Sequence, residues 1–370
     1  MKRALVALVV VVGLIALGVR LRFGGGARLE DRTTAPELPV SAVELVANLE
    51  YPPGNIAVAP DGQVFFTYHP DGAPPEHAMT LRDGVPVPFP SPGYKDFDTV
   101  LSLRIDRQGR LWTLDHAGYA RGQPRLLAFD PATGRELHRY DFPSNVAGLL
   151  SMVNDFQVDP AGERIYIAEA SPIAGTPAVI VYDVATRTSR RLLDGHPSVR
   201  TEDYRIQAPG RDMTVFGLYT LRIGVDTIAL DRRGEWLYYG PVTGGTLWRV
   251  RTRDLNDVSL SPDALAARVE AFAPKPISDG ASSDDQGRIY LTDPEHSAVL
   301  ALEPDRRLRT LVKDPKLRWP DGLSFGPGGS LYVTCSALQD VLFRSAAARR
   351  AHAPYQIYRF TPGGTAAPGQ

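Results

Sequence analysis

Cysteine is nearly missing from this chain. Cys335 is the single one in 370 residues, so no intrachain disulfide can form, and CxxC and lipobox patterns are excluded by the count. Glycosylation sequons are missing too. Asn48, Asn55, Asn145, Asn154 and Asn256 all lack a hydroxyl residue two positions on. No charge of one sign dominates: 41 Lys and Arg face 42 Asp and Glu, for a net charge of −1. The lack of a long basic stripe argues against a nucleic-acid partner. The seven histidines show no His-x-x-x-His spacing. The only Gly-Gly-Gly, at 24–26, lies outside any strand–helix unit, so no phosphate-cradling loop is present. "GLSFG" (322–326) falls inside a strand rather than at a strand-to-helix turn, which argues against a nucleophile elbow.

Turn formers are plentiful, with 34 Gly and 32 Pro, and apolar residues reach 43%. That combination fits many short strands around a substantial core. Only one long apolar run exists. Lys2-Arg3 precede the uncharged stretch Ala4–Val19, and Arg20 and Arg22 follow it. This is the pattern of an export signal, with small residues at 24–27 as a cleavage site, or of an uncleaved membrane anchor held by its flanking arginines. Both remain open. The expected organisation is a signal or anchor at 1–23, a linker at 24–40, a folded body at 41–364 and a flexible tail at 365–370. The expected location is periplasmic or extracellular, with residues 4–19 as the possible anchor.

The body is an internal repeat. "NIAVAPDGQVFFTY" (55–68), "SLRIDRQGRLWTLD" (102–115) and "DFQVDPAGERIYIAEA" (155–170) share one pattern. "TIALDRRGEWLYYG" (227–240), "GASSDDQGRIYLTD" (280–293) and "GLSFGPGGSLYVTC" (322–335) repeat it. Each has a strand, a turn ending in Gly, and a second strand with an aromatic near its centre. The turn glycines are Gly62, Gly109, Gly162, Gly234, Gly287 and Gly329. Glycine there supplies a positive φ without steric cost. Further strand-like pieces between the hairpins bring each unit to four strands. Such units cannot bury both faces alone and must stack, which predicts an all-β, six-bladed β-propeller. "VELVANL" (43–49) and "YQIYRF" (355–360) are expected to pair in one blade and close the ring. Residues 196–223 read as an insertion over one face, and 337–352 as a short helix.

The inner-strand starts fall at Gly54, Leu101, Asn154, Asp226, Asp279 and Asp321. In a propeller they converge at one channel mouth. Oxygen-rich side chains there suit a divalent cation such as Ca²⁺ or a polar ligand. They equally suit capping of strand starts. Asn55 and Ser102, one position later, are expected to face another way. The candidate ligand-binding residues are Asn154, Asp155, Asp321, His116 and Asn55, with a surface or packing role as the stronger alternative for His116. Asp226 and Asp279 are the candidate catalytic carboxylates, and Asn154 with Asp226 the candidate metal ligands.

Several stretches resemble the yellow and major royal jelly protein family. They are "GRLWTLDHAG" (109–118), "PRLLAFDPATGRELHRYDFP" (124–143), "NDFQVD" (154–159), "AVIVYDVATRTSRRLLDGHPSV" (178–199), "GVDTIALDRRGEWLYYGPVTGGTLWRVRTRDL" (224–255) and "WPDGLSFGPGGSLYVTCSALQ" (319–339). The resemblance implies a six-bladed propeller. It also implies secretion and, in some members, binding of small amines or sterols or a link to dopachrome conversion. The missing cysteine pairs and sequons point to a bacterial-type member. The repeat is similar, more distantly, to gluconolactonase and senescence-marker-protein propellers. Those hold a divalent metal by a glutamate, an asparagine and an aspartate at inner-strand starts. Asn154 and Asp226 match two of these positions, Gly54 stands in the third, and Glu50 is out of register.

Three functions follow as expectations. The first is an exported monomer binding a small organic molecule at the channel mouth, with tautomerase chemistry as an extension. The second is a metal-dependent lactonase or ester hydrolase. The third is a protein-binding scaffold without chemistry.

Overall fold

The computed structural model describes residues 2–367 and 369, although not the side chains of residues 2, 4, 5, 7 and 8. Six four-stranded antiparallel sheets form the blades of a propeller. Their inner strands are Pro53–Val58, Val100–Ile105, Val153–Val158, Val225–Leu230, Ala281–Ser283 and Pro320–Phe325, defining blades 1 to 6. The turn after each inner strand carries its glycine at positive φ, from 71° at Gly162 and Gly234 to 90° at Gly62. In blades 2 to 5 an Asp at the turn start accepts the backbone amides across it. Asp106 takes Gln108 N and Arg110 N, and Asp284 takes Gln286 N and Arg288 N.

The ring closes as the two orphan strands required. Glu44–Leu49 pairs antiparallel with Tyr355–Phe360, so blade 6 takes its outermost strand from the start of the chain. This ties the two ends of the body together without a covalent link.

Alternating strand residues bury apolar side chains between neighbouring blades. Trp112, Phe156, Ile165 and Tyr182 pack in one such interface, between blades 2 and 3. Tyr290, Phe325, Val333 and Tyr358 pack in another, between blades 5 and 6.

Strand polarity divides the molecule into two faces. Inner strands start at the upper face, and the glycine turns lie at the lower one. The insertion belongs to the upper face and contains two small hairpins, Gln207–Ala208 with Arg211–Asp212 and Thr214–Val215 with Tyr219–Thr220. The expected helix at 337–352 is two short helices, Leu338–Val341 and Ala346–Ala351, because Phe343 takes a left-handed backbone between them. The N-terminal run is a helix, Lys2–Phe23. Among the described residues no helix is long and apolar enough to cross a membrane. The segment after it is laid along the outer edge of blade 5, where Thr34, Glu37 and Leu38 hydrogen-bond Thr310 and Leu311. The C-terminal residues cross the lower face, with Thr365 O accepting Asp285 N and Gly369 N donating to Phe325 O.

Candidate functional site

One irregularity, repeated around the ring, builds the site. In five blades the inner strand slips register against its neighbour at its first residues. The slips lie between Pro53 and Ile56, Val100 and Ser102, Val153 and Phe156, Val225 and Thr227, and Pro320 and Leu323. A β-bulge leaves residues unpaired and re-aims their side chains. Apart from Gly322, the released residues are Gly54 and Asn55, Leu101, Asn154 and Asp155, Asp226, and Asp321, and these line one cavity of about 310 Å³ at the upper mouth. Asp279, just ahead of the short inner strand of blade 5, completes the floor.

The bulges free backbone N–H groups, and threonines on the adjacent strands take them up. Thr67 Oγ1 accepts Asn55 N at 3.0 Å and donates to Leu101 O of the next blade at 2.8 Å. Thr334 Oγ1 accepts Gly322 N at 2.8 Å and donates to Gly54 O at 2.5 Å. In blade 5, which has no bulge, Thr292 Oγ1 makes the same contact and accepts Gly280 N at 3.0 Å. Each of these threonines lies five residues after its turn glycine.

Asn55 therefore does not face away as expected. Its side chain joins a buried network in the channel: Nδ2 donates to Asp155 Oδ1 at 2.7 Å, and Oδ1 accepts from Arg104 Nη1 at 2.6 Å. Arg104 is the functional residue that sequence reasoning missed. It is only 2% exposed, its Nη2 stands 3.6 Å from Asp155 Oδ2, and Nη1 also donates to Ile56 O at 3.2 Å. Burial lowers its pKa, opposed by Asp155 and Asp321. The only signal was a charge at a strand position where the other blades carry the uncharged Ala57, Gln157, Ala229, Ser282 and Ser324.

Four aspartates meet on the cavity floor, and two of them, Asp155 and Asp321, act on this guanidinium. Burial and mutual repulsion push the carboxyls of Asp226 and Asp321 well above the ordinary range. Burial also raises Asp155, while Arg104 holds it down. Burial lifts Asp279 to about 6, against the hydrogen bond from Trp319 Nε1 at 2.6 Å. Asn154 Nδ2 donates to Asp226 Oδ2, and Asp226 also shares a hydrogen bond with Asp279. Behind this floor lies the buried Lys275, whose Nζ donates to Gly244 O at 2.9 Å and Pro276 O at 3.1 Å. Burial drops its pKa to about 7.

His116 is not brought to the cavity. It is buried one layer behind, where its Nδ1 accepts Tyr119 N at 2.9 Å, and burial lowers its pKa to about 4. The wall position belongs to His69, with Asp71 and Tyr119 beside it. His69 is also held neutral by burial. Above the floor the wall turns apolar, with Ile173, Val215, Leu221, Leu338, Leu342 and Phe343 contributed by long upper-face loops.

The three-ligand metal set of the lactonase type does not form. Gly54 stands in the glutamate position, and a Cβ there would lie 2.8 Å from Thr67 Oγ1, so the inter-blade bridge leaves no room for a larger side chain. The Asn154 amide is engaged with Asp226. Among the described residues no three His, Cys, Asp or Glu side chains are placed to hold a metal.

Solved structures share this architecture at low sequence identity. The calcium-binding protein regucalcin of Agrobacterium tumefaciens superposes with a TM-score of 0.57 and 16% identity, over 88% of this chain and 96% of that one. A gluconolactonase of Xanthomonas campestris gives 0.56 and 13%, over 86% and 88%. These likenesses establish the fold alone. In sequence, major royal jelly protein 6 of Apis mellifera is 30% identical over 173 residues, 42% of this chain and 37% of that protein. Major royal jelly protein 1 of the same organism is 29% identical over 195 residues, 46% of this chain and 43% of that protein. The chain thus spans less than half the length of these curated relatives. The family model for major royal jelly protein matches residues 99–350, most of the propeller and its mouth, and the chain belongs to that family.

Proposed function

We propose that this propeller binds a small organic amine at the upper channel mouth. The observation that carries this reading is the contrast inside one cavity: an apolar wall stands over a floor of four aspartates with a single guanidinium among them. Such a floor destabilises its own ionised form, because each carboxylate is poorly solvated and repels the next. A ligand ammonium beside Asp279 relieves that repulsion in a low-dielectric site, where charge pairing counts most. The apolar wall takes the hydrocarbon body. A cavity of about 310 Å³ suits one aromatic or alicyclic ring with a short side chain.

The same floor suits proton transfer. Burial and the neighbouring carboxylates push Asp226 well above the ordinary carboxylate range, whereas Asp279 is lifted to about 6, and the two share a hydrogen bond. Such a pair supplies an acid and a base side by side. In a tautomerisation, ionised Asp279 takes a proton from carbon while Asp226 delivers one to the carbonyl oxygen or imine nitrogen. The C–H bond breaks, an O–H or N–H bond forms, and no oxidant is needed. The basic, apolar N-terminal segment supports placing this activity outside the cytoplasm.

Trp319 is a built-in reporter because it donates directly to Asp279. Titration with phenethylamine is expected to change its fluorescence saturably, and Asp279→Asn to abolish the response. Phenylethanol, the neutral analogue, is expected to bind far more weakly. Equal binding of amine and alcohol would sink the amine reading. Turnover of an aminochrome that survives Asp226→Asn would remove the proton-transfer extension. Calcium that displaces the amine stoichiometrically would favour the metal-dependent reading instead.

A further inference from the structure

We propose that the upper face docks onto an anionic phospholipid bilayer, so that the cavity opens at the membrane surface. This concerns the surface around the mouth and does not depend on what the cavity holds.

The mouth is rimmed by large apolar side chains that the fold leaves in solvent. Phe216 is 85% exposed, Ile173 55% and Phe343 54%. Isolated exposed apolar residues are ordinary, but a contiguous rim around an opening marks an interaction surface. Phe216 lies at the tip of the insertion and Phe343 between the two short helices, yet their rings come within 6.5 Å. The two loops are clamped together. Arg211 Nη1 donates to Gln339 O at 2.7 Å and to Leu342 O at 2.9 Å.

Both phenylalanines also occupy the left-handed backbone region, with φ of 50° at Phe216 and 58° at Phe343. For a bulky residue this conformation costs energy. Glycine or asparagine would meet the backbone requirement at lower cost. The chain instead holds two large apolar side chains outward in strained conformations, on separate loops, at one place. Strain of this kind collects at functional surfaces.

The N-terminal helix identifies the occupant. It leaves the body at this same face, where Ala27 bridges Tyr204 and Arg222 Nη2 donates to Gly25 O at 3.1 Å. Arg20 donates to Gly217 O, next to Phe216, and the Phe23 ring lies 6.0 Å from that of Tyr219. The helix exposes apolar side chains along its length, including Val12 at 56%, Leu17 at 52% and Leu21 at 77%. The exposed apolar surface of the helix is thus continuous with the rim. Arg20, Arg22 and Arg344 stand exposed around it. An apolar surface flanked by arginines matches the boundary between acyl chains and anionic headgroups.

The test uses the full chain with a polarity-sensitive dye. Cys335 is fully buried, so an introduced cysteine is the accessible labelling site. Phe216→Cys and Phe343→Cys report the rim, and Arg233→Cys, on an exposed lower-face turn, reports the opposite side. With vesicles of phosphatidylglycerol and phosphatidylcholine, dyes at 216 and 343 are expected to shift to the blue and brighten severalfold. The dye at 233 is expected not to respond. Both responses should weaken as salt screens the arginines. In the unmodified protein, vesicles should slow amide exchange in residues 211–222 and 338–344 but not in 230–235. Identical behaviour at all three dye positions would mean that only the helix holds the membrane, and would overturn the proposal. So would a solution dimer that Phe216→Ser dissociates, if the rim dyes ignore vesicles; the rim would then be an interface between two copies.

Discussion

The two halves of the channel floor use the same backbone device for opposite ends. Blades 1 and 2 bulge at their strand starts just as blades 3, 4 and 6 do. The first half presents Gly54, Asn55 and Leu101 and sends Arg104 into the channel. The second, with blade 5, presents Asn154, Asp155, Asp226, Asp279 and Asp321. One side brings a fixed cation and little else, and the other brings an excess of carboxyls. The bulge sets where the strand-start side chains point, and their residue types set the charge; Arg104, in register with Trp112, reaches the channel from farther along its strand. A site with polarity across it thus arises from a ring of near-equivalent blades.

The largest expected effect comes from removing the cationic half. Arg104→Met leaves Asn55 and Asp155 without their shared partner inside the channel. Breaking a buried pair from one side costs about 3–5 kcal/mol. The loss should be greatest above neutral pH and shrink in acid, where protonated Asp155 no longer needs the charge. Calorimetric unfolding across pH checks this. A second change, Asp155→Leu, should recover part of the loss.

Thinning the acidic half should act in the opposite direction. Asp279 is raised in the folded protein to about 6 from an ordinary 3.8, so the folded state holds its proton more tightly than the unfolded one. Its contribution is therefore most favourable in acid and is lost as pH rises from about 4 through about 6. A shift of this size amounts to roughly 3 kcal/mol across that window. Asp279→Asn should remove this slope and leave the protein more stable at pH 8 by an amount of that order. Denaturant titrations at pH 4 and pH 8 give the comparison. Amine affinity in the wild type should rise over the same window, as the carboxylate forms. Binding should release protons, detected as a buffer-dependent heat.

A smaller effect follows from making blade 1 resemble the acidic half. Gly54→Glu should destabilise the protein by about 1–3 kcal/mol through overpacking against Thr67. Isothermal titration of the variant should show no new calcium site, because the inter-blade bridge occupies the space that a ligand side chain would need.

The architecture was legible because it repeats. The six glycine turns and the aromatic second strands specify blades, and the two orphan strands specify ring closure. Each depends on residues near one another in sequence. The positions of Asn154, Asp226, Asp279 and Asp321 could be counted from the same turns. The register slips could not. Strict alternation put Asn55 on the wrong face, since a bulge changes the period only where it occurs, and nothing local in "PPGNIAV" announces it. For a similar reason the sequence did not show that His69 lines the cavity while His116 packs behind it. Both follow second strands, and only the packing of the loops decides which one reaches the cavity.

The sequence by itself determined the number of blades, the closure of the ring and the level of the channel at which acidic residues collect. Local turn chemistry and strand periodicity are enough for that. The tertiary structure decided the cation opposite them, the apolar wall and the joining of the helix to the mouth. Arg104 gains its role from Asp155 in the next blade, and Phe216 meets Phe343 across more than a hundred residues of chain. Desolvation and charge pairing depend on distance in space, and that distance exists only once the ring has closed.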